Sequence, residues 1–167
     1  QWGAAAGSFT HTYADGPATP TIVVSATDED GSFTLGSHGV AVTNVEPELI
    51  IGVPTHTDEG ASFLLTINGS DAAGAGDPLT YSIEWDDGGP VQTVSAAELA
   101  LLGGQVAHVY ADDDDGPVNA SLRNITVTAS DGDGGNTVRS LGITVNNVAP
   151  TLDANGAGNA TTGSAYT

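Results

Sequence analysis

An internal repeat is the feature that most constrains how this chain of 167 residues folds. Residues 21–47 and residues 124–150 align without a gap at an offset of 103 positions, and both stretches close on an Asn-Val-x-Pro segment. A period of this length is the size of a whole domain rather than of one turn of a solenoid. The sequence therefore predicts similar folded units that follow one another along the chain.

The repeat sets the expected domain organisation. Residues 1–47 are the C-terminal part of one repeat, residues 48–150 a complete repeat, and residues 151–167 the first strand of a following one. Within the complete repeat, short runs rich in Val, Ile, Leu and Thr alternate with turn residues, and they predict strands near 48–53, 61–68, 79–85, 91–94, 105–110, 122–130 and 137–146. The spacing lacks βαβ units and predicts all-β, antiparallel Ig-like β-sandwich repeats in tandem.

One short helix interrupts this pattern. Ser95 and Glu98 have the spacing of a capping box, leucines follow, and the Gly103-Gly104 pair predicts the end of the helix. The first repeat has no counterpart, which marks the helix as a local insertion in one copy.

The charge balance excludes several classes of protein. Acidic residues number 21 and basic residues 2, which gives a formal net charge of −19. Two arginines cannot neutralise a row of phosphates, so nucleic acid is excluded as a partner. The longest apolar run is about five residues, too short to insert in a membrane, and the chain has no cysteine for thiolate chemistry. The negative electrostatic field that this net charge produces attracts cations.

Four motifs in order resemble the polycystic-kidney-disease (PKD) domain of bacterial extracellular proteins. They are the Trp85–Gly88 turn, the His108-Val-Tyr110 strand, the Asp131-Gly-Asp133-Gly134 hairpin and the closing Asn147-Val-Ala-Pro150 segment. Asp86 departs from the family pattern, which has a glycine after the tryptophan. The resemblance implies an extracellular, secreted or cell-surface Ig-like sandwich that spaces, adheres or binds. The closing segment more loosely resembles cadherin linkers, where Asn and Asp hold calcium.

Paired aspartates in the two repeated hairpins are candidate Ca²⁺ ligands. Asp131 and Asp133, and their copies Asp28 and Asp30, place two carboxylates on one side of a tight turn. Calcium takes roughly six to eight oxygen ligands, which loop carboxylates and carbonyls supply. Asp and Gly are equally the residues that such turns favour. Both interpretations stay open, with calcium slightly favoured by the surplus negative charge.

Three further residues can contribute to a cation site between units. Glu59 lies just ahead of the second predicted strand, and Asn44 and Asn147 lie at the unit junctions. For the asparagines, strand termination is the favoured interpretation. The densest run of charge, Asp112–Asp115, is read as a solvated loop rather than as a cation trap.

The remaining aromatic and acidic motifs favour structure over catalysis. Trp85 is expected in the core, as in other Ig-like sandwiches, rather than stacked on a sugar. His108 and Tyr110 alternate along one strand and therefore share a face. Adjacent acids at Glu84, Asp86 and Asp87 are not accompanied by cleft-forming insertions, and no nucleophile-elbow, phosphate-loop or zinc-protease motif occurs.

These observations predict a non-catalytic structural or adhesive repeat of a long extracellular protein or filament, stiffened by Ca²⁺. Its expected partners are neighbouring repeats of the same chain or identical chains in a fibre. The alternative is an accessory module of a secreted enzyme that binds a polysaccharide or a surface protein. Low aromatic content, 5% of residues, places that alternative second because sugar platforms are built from exposed aromatic rings.

Overall fold

The structure, a computed structural model, describes residues 7–113, 119–152, 155, 158, 162 and 163. A hairpin opens the described chain, with β1 at Thr21–Asp28 and β2 at Gly31–Gly39. The remaining elements are β3 (Glu48–Gly52), β4 (His56–Asp58), β5 (Ser62–Ser70), a 3₁₀ turn (Gly74–Gly76), β6 (Thr80–Glu84), β7 (Gln92–Ser95), α1 (Ala96–Leu101), β8 (Gln105–Val109), β9 (Ala120–Ser130) and β10 (Asn136–Asn146).

Two sheets built from β3 to β10 form a sandwich. One sheet has the order β4-β10-β9-β6-β7 and the other the order β3-β5-β8. Every pairing is antiparallel except that of β4 with β10, which is parallel. The predicted all-β, Ig-like sandwich class is therefore confirmed for this part of the chain. Strand β4 is the one described strand of the sandwich that the sequence pattern missed, because three residues are too few to show alternation.

The core lies between the two sheets and follows the period-two pattern of the strands. On β9, the side chains of Ile125, Val127 and Ala129 have no exposed surface, while the residues between them are partly exposed. This alternation buries one face of each strand. The other buried apolar residues are Leu49, Phe63, Leu65, Ile67, Leu79, Tyr81, Ile83, Trp85, Val94, Leu99, Val106, Tyr110, Ile143 and Val145.

The β1–β2 hairpin has the same register as the β9–β10 hairpin. Thr21 pairs with Gly39, and Asn124, the residue 103 positions further on, pairs with Gly142. The correspondence holds for the next three pairs. After Val24, a β-bulge shifts the strand register of the first hairpin. The sequence repeat is thus accompanied by the same local strand pairing.

The two hairpins differ in what covers them. Ile22 and Val24 are 46% and 54% exposed, whereas their repeat counterparts Ile125 and Val127 are fully buried. No second sheet packs on β1 and β2 within the described part of the chain. The first hairpin consequently presents an apolar face to solvent.

Helix α1 begins and ends where the sequence predicts. The Ser95 hydroxyl accepts a hydrogen bond from Glu98 N, and a Glu98 carboxylate oxygen accepts one from Ser95 N, which completes the capping box. These bonds to the charged form lower the pKa of Glu98. Gly103 and Gly104 adopt positive φ and end the helix.

Asp86 occupies a turn conformation that favours glycine. Its φ of 62° is a conformation that glycine adopts without strain and that aspartate tolerates better than most residues. A carboxylate oxygen of Asp86 accepts a hydrogen bond from Asn124 N at 2.9 Å. The side chain therefore anchors the turn to β9, which a glycine cannot do.

Residues 151 and 152 are not in a strand, and most of the predicted opening strand of residues 151–167 lies outside the described residues. Within the described chain, no helix is long and apolar enough to cross a bilayer.

Candidate metal centre

Five aspartates and one asparagine meet where the segment 7–47 contacts the sandwich. We call this group the junction cluster; its members are Asp15, Asn44, Asp71, Asp77, Asp131 and Asp133. Asp15 and Asn44 come from the loops on either side of the first hairpin, and the other four come from loops of the sandwich. The cluster therefore draws its side chains from two separate parts of the chain.

The carboxylates of the junction cluster form two overlapping groups. One group contains Asp15, Asp77 and Asp133, and the other contains Asp71, Asp77 and Asp131. In each group, one oxygen from every residue lies within 4.8 Å of the others. Asp77 belongs to both groups and is thus the centre of the cluster. A cleft of about 230 Å³, lined in part by Asp15, Asn44 and Asp71, opens beside it.

Asp131 is held in place by the backbone of its own turn. One of its oxygens accepts hydrogen bonds from Asp133 N and Gly135 N, both at 2.9 Å. Its other oxygen accepts a 2.6 Å hydrogen bond from Asn44 Nδ2, which lowers the pKa of Asp131 more than any other contact. Gly135 is required here, because a Cβ at this position would overlap the Asp131 carboxylate. The turn thus fixes a buried, charged carboxylate at the junction.

Asp77 is buried without a hydrogen-bond partner for one of its oxygens. Its residue surface is 5% exposed, and Oδ2 has no protein donor. Oδ2 of Asp71 is buried and unpartnered as well, although its Oδ1 accepts from Ala73 N. Burial raises the pKa of Asp77, and the nearby carboxylates raise it further. Buried carboxylate oxygens without donors are the arrangement that a bound cation stabilises.

The protein's own cations lie elsewhere. The guanidinium of Arg123 donates to the backbone carbonyls of Asp86 and Asp113, and that of Arg139 donates to the carbonyl of Val138. The chain has no lysine. The junction cluster is therefore a set of hard oxygen donors with no side-chain counter-charge, a composition that suits Ca²⁺.

The sequence predicted half of this cluster. Asp131, Asp133 and Asn44 were candidates and do lie together, and the hydrogen bond from Asn44 gives it a role beyond strand termination. Asp15, Asp71 and Asp77 were missed. In the sequence, these three residues show only as acids beside turn residues, and such acids are common in loops that bind no ligand.

Asp28 and Asp30 lie apart from the junction cluster. Both are exposed, and neither joins a group of acids within the described residues. Asp28 Oδ1 accepts hydrogen bonds from Asp30 N at 3.0 Å and from Gly31 N at 3.1 Å. In this hairpin the turn-forming interpretation accounts for both aspartates.

A second group of acids contains Glu59, Asp112 and Asp113, and we call it the distal cluster. The expectation of a solvated loop is wrong for Asp113, which is only 3% exposed. It holds for Asp112, which is exposed, while residues 114 and 115 lie outside the described chain. Asn147 precedes Val148, whose N–H donates to a carboxylate oxygen of Glu59, and the backbone N–H of Asn147 itself donates to Asn119 O.

Trp85, His108 and Tyr110 form an aromatic group in and beside the core. The Trp85 ring is stacked on the His108 ring with centroids 4.1 Å apart, and its N–H donates to Gln92. Tyr110 donates a buried 2.8 Å hydrogen bond to the carbonyl of Trp85, and burial raises the pKa of Tyr110 to about 12. Burial lowers the pKa of His108, although Asp87, 3.0 Å away, opposes the shift. These contacts match the predicted structural roles.

The strand pairing and the two clusters define the chain as an Ig-like β-sandwich module with acidic loops at its ends. Among solved structures, it is similar to the PKD1 domain of Vibrio anguillarum Epp, with 16% identity over 63% of this chain and 99% of that domain and a TM-score of 0.42. No protein-family model and no curated protein matches the chain.

Proposed function

We propose that this chain is a non-catalytic structural module of an extracellular array in which a Ca²⁺ ion, held by the junction cluster, fixes one unit against the next. The observation that carries the proposal is the buried, unpartnered oxygen of Asp77 among four further carboxylates. Without a cation these charges repel one another; with one, they become ligands.

The origin of the ligands explains how an ion would stiffen the chain. Asp15 precedes the first hairpin and Asn44 follows it, whereas Asp77 and Asp131 belong to the sandwich. An ion shared between these two sets restrains the orientation of one segment relative to the other. Among the described residues, the hydrogen bonds that join the two segments are the Asn44–Asp131 bond and a 2.5 Å bond from Thr137 to Pro47 O.

Removing calcium is expected to destabilise the protein. At about 100 times Kd, one bound ion stabilises the folded state by ~2.7 kcal/mol, which corresponds to a melting temperature higher by roughly 5–10 °C for a chain of this size. Asp77→Asn is expected to lose most of this response and, in chelator, to melt no lower than the native chain, because it removes one repelling charge. Differential scanning calorimetry with Ca²⁺ and with EDTA measures both effects.

Asp30→Asn is the matched control, because it makes the same change of charge at an exposed turn. It is expected to keep the full calcium response. Calorimetric titration of the native chain that releases no heat, together with a melting temperature unaffected by EDTA, would contradict the proposal.

The exposed apolar face of the first hairpin supports the tandem organisation. Because β1 and β2 repeat the register of β9 and β10, a sheet equivalent to the one that covers β9 would cover Ile22 and Val24. Partners of this kind are neighbouring repeats of the same chain, or identical chains in a fibre. We place the protein outside the cell, where millimolar Ca²⁺ is available to such sites.

The repeat can be tested by rebuilding a full unit from this chain's own residues. In a chain of residues 48–123 joined directly to residues 21–167, Thr21 takes the place of Asn124. Amide hydrogen exchange in β1 is expected to slow at least about tenfold, because the hairpin gains a covering sheet. In the control chain, residues 48–123 are joined to residues 22–167. The missing residue shifts the alternation along the strand by one position, so the apolar side chains of β1 point away from the covering sheet. Equal exchange in both chains would exclude the repeat.

A further inference from the structure

The distal cluster lies at the opposite end of the sandwich from the junction cluster. Asp131 follows β9 directly, whereas Asp113 precedes it and bonds through its backbone carbonyl to Arg123 and Ser121 near the start of the strand. The eleven residues of β9 span about 35 Å. One ion cannot serve both clusters, so each must be considered as a separate site.

The geometry of the distal cluster is fixed by the backbone around it. One oxygen of Glu59 accepts a 2.9 Å hydrogen bond from Asp113 N, and the other accepts a 2.7 Å hydrogen bond from Val148 N. One oxygen from each of Glu59, Asp112 and Asp113 lies within 4.8 Å of the others. The glutamate is therefore positioned beside two aspartates rather than free in solvent.

Asp113 supplies the independent sign of a ligand. The residue is 97% buried, and its Oδ2 has no hydrogen-bond donor. The guanidinium of Arg123 donates to the backbone carbonyl of Asp113 rather than to its carboxylate. A buried carboxylate oxygen without a donor is costly unless a charge of opposite sign compensates it.

We propose that Glu59, Asp112 and Asp113 form a second site for a hard divalent cation such as Ca²⁺. All three donors are carboxylate oxygens, and each retains a free lone pair for an ion. Because Glu59 also binds Val148 N, an ion here would fix the chain as it leaves β10 toward Pro150. The sequence His-x-Tyr-Ala-Asp occurs at residues 11–15 and again at residues 108–112, so Asp112 is the repeat counterpart of Asp15 in the junction cluster. Both ends therefore present an acid at the same position of the unit.

Stoichiometry tests this second site without depending on the first. Isothermal titration of the full chain with CaCl₂ is expected to give two ions for the native chain and for Asp30→Asn. One ion is expected for Asp77→Asn. For Asp112→Asn, one ion is expected to bind with the native affinity, while the affinity of the distal site falls at least about tenfold. Asp112 is exposed, so Asp112→Asn keeps the core intact. Asp113→Asn, provided that it folds, is expected to reduce Ca²⁺ affinity at the distal site further.

The amide resonance of Val148 gives a local readout, because its N–H donates to Glu59. It is expected to shift with Ca²⁺ in the native chain and in Asp77→Asn, but not in Asp112→Asn. A single ion that Asp77→Asn abolishes, with Val148 unaffected by Ca²⁺, would overturn the second site and leave the junction site standing. Loss of all binding in Asp112→Asn would also overturn it, since the sites would not be separate.

Discussion

Replacing Ile125 by alanine is expected to lower the free energy of unfolding by about 2–5 kcal/mol. Ile125 has no exposed surface and lies in the middle of the core between the two sheets. Removing its outer carbons leaves a cavity that the surrounding strands cannot fill, which adds to the loss of buried apolar surface. Urea unfolding followed by circular dichroism measures the change.

Ile22→Ala is the matched control, because Ile22 occupies the same place in the repeat but is 46% exposed. In this chain it is expected to change the free energy of unfolding by less than about 1 kcal/mol. In the rebuilt chain of residues 48–123 and 21–167, the same substitution is expected to become as damaging as Ile125→Ala. Equal costs for Ile22→Ala and Ile125→Ala in the present chain would contradict the exposure of the first hairpin.

Replacing Trp85 by alanine is expected to lower the free energy of unfolding by about 3–5 kcal/mol. Trp85 is 5% exposed and contacts Phe63 edge-on at a centroid distance of 6.0 Å, besides its stacking on His108. The substitution empties a large volume and leaves Gln92 without its hydrogen-bond donor. Trp85→Phe retains a ring in the core and is expected to lose less than half as much.

The same variants separate the structural role from the alternative, a polysaccharide-binding module. A tryptophan that stacks on sugars exposes its ring face, whereas this ring is covered by His108. Glycan-array binding is therefore expected to be absent in the native chain and unchanged in Trp85→Phe. Glycan affinity that disappears in Trp85→Phe while stability is retained would favour the binding module.

Cations bound at both ends of a unit would also reduce the electrostatic repulsion between neighbouring units of an array. A chain with 21 acidic and 2 basic residues repels its neighbours, and the repulsion is concentrated where acidic loops meet. Divalent ions at the junction and distal clusters would lower this repulsion at the contacts between units and leave the remaining surface acidic. Calcium is then expected to rigidify the array without promoting its aggregation.

Much of the fold followed from local pattern. Alternation in β9 predicted which residues are buried, and the Ser95–Glu98 capping box predicted the helix. Of the junction cluster, Asp131 and Asp133 were predictable because they sit together in one turn. Asp77 was not, because its importance arises from burial beside Asp15, Asp131 and Asp133, each more than 50 residues away in the chain.

The amino-acid order alone determined the repeat and the face that each core strand buries, because both can be read from residues that are near neighbours in sequence. Only the tertiary structure decided which acids lie together and which of them are buried. Asp28 and Asp131 occupy equivalent turns, yet one is exposed and the other 4% exposed beneath Asn44. The difference lies in what packs against each turn, and long-range packing determines how far a carboxylate is removed from water and how closely it approaches other charges.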